Sequence, residues 1–268
     1  MNASLEASCQ FSEVSATLMP MATVFPAGLD DPTFYPIEEK VGEDSLQRFI
    51  AELLRGSIDY FLRGRGEPTF VGADQFVYWV KHRPQKVVAP DVYVLPGVER
   101  EARIPCLKTW ESGIVPSFVL EIVSPNSVDK DYREAPTRYE ELGVEELVIF
   151  DPDYRRGRDR LRFQVYRKLR SGFEQVAASN VDRVHSRVLG CWIRAVGHGE
   201  RVRLRLATGE RGGMIVPTEI EAESARAAAE SARAAAESAR ADAEQRRAEQ
   251  AEAQLKQLRA ELGRAKKK

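Results

Sequence analysis

The chain has few of the residues that cross-link or hold soft metals. Its three cysteines, Cys9, Cys106 and Cys191, stand far apart and odd in number. That excludes a disulfide framework and a paired-cysteine zinc site, and leaves inert free thiols as the expectation. Histidine is equally scarce: His82, His185 and His198 lack metal-ligand spacing and read as surface or strand residues. Net charge is nearly absent, with 40 Lys+Arg against 41 Asp+Glu. No global basic field announces a polyanionic partner, so any positive groove must be local. No apolar run approaches the ~18 residues of a bilayer span. The N-terminal stretch MNASLEASCQFSEVSATLMPMATVF has no basic segment ahead of an apolar one. A soluble, cytoplasmic protein without membrane contact is the expectation.

What is present divides unevenly. Hydrophobic residues make up 43% of the chain and charged ones 30%, with much of the charge surplus after residue 217. Residues 1–35, rich in Ser, Ala, Pro and Asp, show no periodicity and are expected to be disordered. Residues 36–210 carry the alternating patterns of an α/β domain, 211–217 a linker, and 218–268 an alanine-rich coiled-coil tail. Phe49, Ile50, Leu53, Leu54, Ile58 and Phe61 recur at helical spacing. They predict a helix from Asp44 to Leu62, capped by Asp44 or Ser45 and ended by Gly64 and Gly66. Thr69 to Val80 reads as a strand, and Val87 to Leu95 as another interrupted by Pro90. Pro116 to Pro125 and Glu146 to Pro152 are apolar on both faces, as central strands are. A helix from Tyr132 to Leu142, stopped by Gly143, joins them into one crossover unit. LRFQVYRKL and FEQVAA form a hairpin through Arg170, Ser171 and Gly172, and RVLGCWIRAV and RVRLRLAT complete a β-rich end. The expected fold class is α/β: a mixed central sheet flanked by helices, then a long C-terminal helix.

The tail repeats every seven residues: ESARAAA at 223–229 and 230–236, then ESARADA at 237–243. Glu223, Glu230 and Glu237 share one heptad position, and Arg226, Arg233 and Arg240 another. Alanine supplies a weak seam, and Leu255, Leu258 and Leu262 the strongest apolar stripe. A solvated single helix, a self-associating coiled coil and a dedicated partner site all remain open.

Two carboxylates break the apolar pattern. Glu121 sits inside VLEIV, and Asp91 follows Pro90 in VVAPDVYVL. A buried carboxylate costs several kcal/mol unless it meets a cation or metal. Two of them on neighbouring strands repel, and a divalent cation relieves that repulsion. Mg²⁺ takes such a site: one or two carboxylates, retained waters and a phosphate oxygen. On spacing alone, a salt-bridge role for either residue stays open. Ser124 and Asp151 read as turn formers, and Trp79, Trp110 and Trp192 as packing residues. Lys81, His82, Arg83 and Lys86 are either a phosphate-contacting cluster or an ordinary solvated turn.

The strings YPIEEKVGEDSLQRF, VVAPDVYVL, PSFVLEIVSP and RYEELGVEELVIFDP occur in this order. Together they resemble the Uma-type restriction endonuclease family of the PD-(D/E)xK nuclease superfamily, over roughly Tyr35 to Leu206. The resemblance implies a Mg²⁺- or Mn²⁺-dependent endonuclease acting on DNA. It makes Asp91 and Glu121 the metal ligands and Glu43, in VGED, an accessory carboxylate. The motif lysine would fall at Val123 or, moved to the next helix, at Ala135. Neither is a lysine. Lys130 or Arg133 on the same segment are the candidates to replace it, Lys130 foremost. The competing reading is a nuclease-derived module that binds nucleic acid or protein and self-associates through its tail.

Overall fold

The computed structural model describes residues 45–265 apart from Asn126, with side chains through residue 259. Glu43 and the segment 1–35 lie outside the described residues.

Helix α1 (Ser45–Arg63) buries Ile50, Leu54, Ile58 and Leu62, one residue per turn on a single face, with Arg63 in its last turn. β1 (Thr69–Gly72), β2 (Val77–Tyr78), β3 (Val87–Val88), β4 (Val92–Pro96) and β5 (Leu107–Lys108) follow. The short α2 (Thr109–Ser112) leads to β6 (Phe118–Ile122), and a π-helical turn (Lys130–Glu134) runs into α3 (Ala135–Leu142). Then come β7 (Glu146–Phe150), the hairpin β8 (Phe163–Leu169) and β9 (Gly172–Ser179), β10 (Arg183–Ser186), β11 (Cys191–Val196), β12 (Arg203–Thr208), β13 (Met214–Ile215) and α4 (Glu219–Ala265).

The central sheet has the order β1-β4-β6-β7-β8-β9 and is antiparallel except for the β6–β7 pair. That parallel pair needs a crossover, and α3 supplies it. Gly143, at φ 92°, ends α3 in the left-handed region and turns the chain into β7. The sheet is covered on both faces, which is why β6 and β7 are buried at every position. One face carries Val92, Val94, Phe118, Leu120, Val148 and Phe150, packed against α1 and the antiparallel sheet β10-β11-β12-β13. The other carries Tyr93, Leu95, Val119, Leu147 and Ile149, packed against Tyr139 and Leu142 of α3. The α/β class with a mixed sheet and a long C-terminal helix is therefore the observed one.

Two expected strands are each divided. The run Thr69 to Val80 becomes β1 and β2, separated where Asp74 takes a positive φ of 55° and its N–H bonds to the Pro90 carbonyl. Val87 to Leu95 also splits at Pro90. β3 joins β2 and β5 in a small sheet, whereas β4 enters the central one. Proline has no N–H for a ladder, so the chain changes sheets there.

Helix α4 is continuous over 47 residues, about 70 Å at ~1.5 Å per residue. Its recorded ion pairs to the domain come from its first turn: Glu219 with Arg63, and Glu221 with Arg205 at 2.5 Å. Leu255 and Leu258 are exposed, and the Leu262 side chain is outside those described. A rod whose ion pairs to the domain, among the described residues, lie at its base adds little to the domain core. Truncation after Ala222 is expected to move the thermal midpoint of the α/β domain by less than about 3 °C, because both ion pairs to the domain survive and the residues removed are almost all exposed. Calorimetry of both chains checks this; a much larger fall would show that the rod supports the core.

No described helix is long and apolar enough to cross a membrane.

Candidate metal centre

Pairing of β4 with β6 sets Val92 opposite Leu120 and Tyr93 opposite Val119. Carrying that register one residue further sets Asp91, at the mouth of β4, across from Glu121 in β6. Side chains alternate along a strand, so Glu121 shares the α3-facing side with Val119. Both carboxylates are 6% exposed. Asp91 Oδ2 accepts the Ile122 N–H at 2.5 Å, and Oδ1 accepts the Gln47 amide at 2.8 Å. Glu121 accepts the hydroxyl of Tyr139, which reaches it from α3, and stands within hydrogen-bonding reach of Asp91.

Among the described residues five acids are buried: Asp91, Glu121, Asp131, Glu146 and Asp151. Two are neutralised by arginine. Glu146 meets Arg167 at 2.6 Å and also holds Ser186 and the Arg187 N–H, tying β7 to the second sheet. Asp151 takes a two-pronged contact from Arg160 at 2.6 Å and the Tyr132 hydroxyl at 2.7 Å, and its Oδ1 accepts the Asp153 N–H as a turn former does. Asp91, Glu121 and Asp131 have no such ion pair among the described residues. They lie together instead.

Their electrostatics follow. Burial pushes Asp91 well above the usual carboxylate range, and the charge of Glu121 adds to it; the Ile122 N–H and Gln47 pull it back in part. Burial also raises Glu121, against which Lys130, the Tyr139 hydroxyl and Asp91 act. Asp131 rises to about 7, first through burial and then through Glu121, with the Ser127 hydroxyl and Lys130 opposing. Burial and Glu121 raise the Tyr139 phenol, so it stays a donor. Lys130 is exposed, yet its charge acts on both Glu121 and Asp131. Arg133 instead pairs with Asp129 at 3.6 Å, both largely exposed, and takes no part.

A carboxyl group raised in the folded state binds protons that the unfolded chain has released. Its stabilisation is complete below the unfolded value and is lost as pH rises through the folded one. For Asp131 the window runs from its ordinary 3.8 to about 7. Metal-free wild type is therefore expected to lose stability across that window relative to Asp131→Asn, by up to ~1.4 kcal/mol per pH unit. Urea unfolding of both proteins at several pH values checks the sign; parallel curves would contradict it.

Sequence reading singled out Asp91, Glu121, Lys130 and Glu43. The fold brings the first three into one neighbourhood; Glu43 lies outside the described residues. It missed Gln47, Asp131 and the use of Tyr139 as a hydroxyl donor. Asp131 hides in KDYRE, a run that looks solvated, and is turned inward by the π-helical turn, an uncommon feature concentrated at functional sites. Val123 and Ala135, where the motif lysine was expected, are 2% and 4% exposed and belong to the apolar core beside Tyr139. The basic run from Lys81 to Lys86 is a turn whose Lys86 pairs with Glu141 of α3 at 2.5 Å. Cavities of about 370 and 490 Å³ lie at Arg55–Arg100 and at Tyr60–Arg226, away from both carboxylates. Gln47 donates to Asp91 from α1, and Tyr139 to Glu121 from α3.

Among the described residues no group of three or more His, Cys, Asp or Glu side chains is arranged to hold a metal. What the described residues offer is a facing pair of carboxylates, without imidazole or thiol. Such a set belongs to the class of sites that hold hard divalent cations, which take one or two carboxylates and keep their waters. The chain itself belongs to the Uma2 family, described as "Putative restriction endonuclease", which matches residues 37–195, more than half of its length. Every residue of the site, and Glu43, falls within that match. A solved structure described as a putative nuclease of the DUF820 group from Anabaena variabilis is also similar. It shows 14% identity and a TM-score of 0.41, covering 57% of this chain and 78% of that one. No curated protein matches in sequence.

Proposed function

We propose that the domain is a Mg²⁺- or Mn²⁺-dependent endonuclease hydrolysing phosphodiester bonds in DNA. One observation carries the reading: Asp91 and Glu121 are buried face to face without an ion-pair partner among the described residues, whereas Glu146 and Asp151 are neutralised by arginine. Asp91 and Glu121 would hold the ion, with Glu43 as accessory carboxylate. When bound, it supplies the Lewis acidity and activated water that phosphodiester hydrolysis needs.

The chain's own residues do the rest. The Ile122 N–H and Gln47 fix the two oxygens of Asp91, and Tyr139 fixes Glu121, so the pair is preorganised before any ligand arrives. Lys130, at the exposed rim, neutralises charge that builds on the phosphate, the task the motif lysine performs. Residues 36–210 form the nuclease domain, 211–217 the linker, whose β13 still pairs with β12, and the tail joins copies of the chain.

A second reading, a nucleic-acid or protein binding module, is favoured by the apolar packing of Val123 and Ala135. Two measurements separate them. The nuclease is expected to nick supercoiled plasmid with Mn²⁺ or Mg²⁺, to stop when a chelator is added, and to gain several degrees in thermal midpoint from the metal alone. A protein that neither nicks nor responds to either ion is the binding module.

A further inference from the structure

The charged stripe of the tail extends beyond the three repeats. Glu223, Arg226, Glu230, Arg233, Glu237, Arg240, Glu244 and Arg247 follow one another at alternating spacings of three and four, Glu and Arg in strict alternation. In a continuous helix those spacings form one face. All eight residues are exposed, and no ion pair joins them among the described residues.

We infer that this face binds the same face of a second copy of the chain, antiparallel, centred on Ala235. In that arrangement Glu223 of one copy faces Arg247 of the other, Arg226 faces Glu244, Glu230 faces Arg240, and Arg233 faces Glu237. Every charge meets its opposite, and the two-fold closes the assembly at two chains. Parallel in-register pairing does the reverse: each Glu faces Glu and each Arg faces Arg. Sliding the antiparallel pair by one heptad leaves charges at both ends unmatched. The alternation thus selects both partner and direction, as interfacial charges do in coiled coils.

A separate observation agrees with this register. Leu255 and Leu258 are 54% and 56% exposed near the far end of the rod, and Met214, Ile215 and Ile220 are 63%, 37% and 75% exposed at its base. Centring on Ala235 sets Gln250 of one copy beside Ile220 of the other. Leu255 and Leu258 then pass the start of the partner helix and arrive beside that apolar base. Two apolar patches, both exposed among the described residues, then bury each other. At ~1.5 Å per residue the two Glu219 anchors sit about 48 Å apart, so the domains lie at opposite ends of the rod. This holds whether or not the domain cuts DNA.

Cysteine cross-linking in the full chain, with Cys9, Cys106 and Cys191 replaced by serine, reads the direction. Under mild oxidation Ala235→Cys is expected to cross-link to itself. Glu223→Cys alone and Arg247→Cys alone are expected to stay unlinked, and their mixture to form one disulfide-linked dimer. Sedimentation at tens of micromolar in 0.1 M salt is expected to give two chains. Changing the four stripe glutamates to arginine should give one. Self-linking of Glu223→Cys, or a monomer for the unsubstituted tail at that concentration, overturns the proposal.

Discussion

Asp91→Asn and Glu121→Gln are each expected to lower metal-dependent nicking by at least ~10³-fold, about 4 kcal/mol of barrier, while leaving the metal-free protein as stable as wild type or more so. The two halves of this expectation have one cause. Near neutral pH the fold keeps Asp91 and Glu121 buried against each other at a cost in stability, since burial raises both. Removing one charge at constant shape relieves that cost. The hydrogen bonds survive: the Ile122 N–H still finds an oxygen at position 91, and the Gln47 amide turns over to accept from the new NH₂. Tyr139 still donates to the amide oxygen of Glu121→Gln. Only the anionic donor set is lost, and with it the thermal shift caused by Mn²⁺ or Mg²⁺. Three readings on one protein therefore separate a functional site from a structural one. A structural carboxylate behaves as Glu146 should: Glu146→Gln breaks a pair whose carboxylate is fully buried, leaves the half-buried Arg167 without its charge partner and destabilises by ~3 kcal/mol. If Asp91→Asn unfolds like that, or nicks like wild type, the pair is not the metal centre.

How far the sequence revealed this depends on whether a residue's neighbours are near in the chain. Glu121 is legible because a carboxylate inside FVLEI contradicts everything around it, and β6 and β7 because no surface strand is apolar on both faces. α1 and the heptads of α4 are equally plain, since their periods run over many turns. The strand runs were harder. Asp74 and Pro90 are single residues, but each diverts the chain from one sheet to another, which no local propensity records. Asp131 was out of reach for a different reason. Its burial depends on one extra residue in a helical turn, marked by the Ala135 N–H bonding to Lys130 rather than to Asp131. Counting helical spacing through KDYREAPTRY with a regular period misplaces it. Gln47, likewise, faces Asp91 across 44 residues of sequence.

The same turn decides where a catalytic cation can stand. Lys130→Ala is expected to cut nicking by ~10²–10³-fold, because it removes the positive charge that acts on Glu121 and Asp131. Ala135→Lys in that background is expected to restore about tenfold, ~1.4 kcal/mol of barrier. Position 135 precedes Tyr139 by four residues in α3, so the two share a helix face, and the Tyr139 hydroxyl already lies on Glu121. A lysine there starts from an apolar setting, with Ala135 only 4% exposed, and its ammonium must find the carboxylates to be tolerated. The buried acids, without an ion pair among the described residues, provide that destination. Ala135→Met, of similar length but uncharged, controls for packing and should restore nothing. The rescue should appear in kcat with little change in KM, since the charge is needed more by the transition state than by bound DNA. Rescue by methionine, or undiminished nicking by Lys130→Ala, would remove Lys130 from the reaction and return the lysine's role to a residue outside this segment.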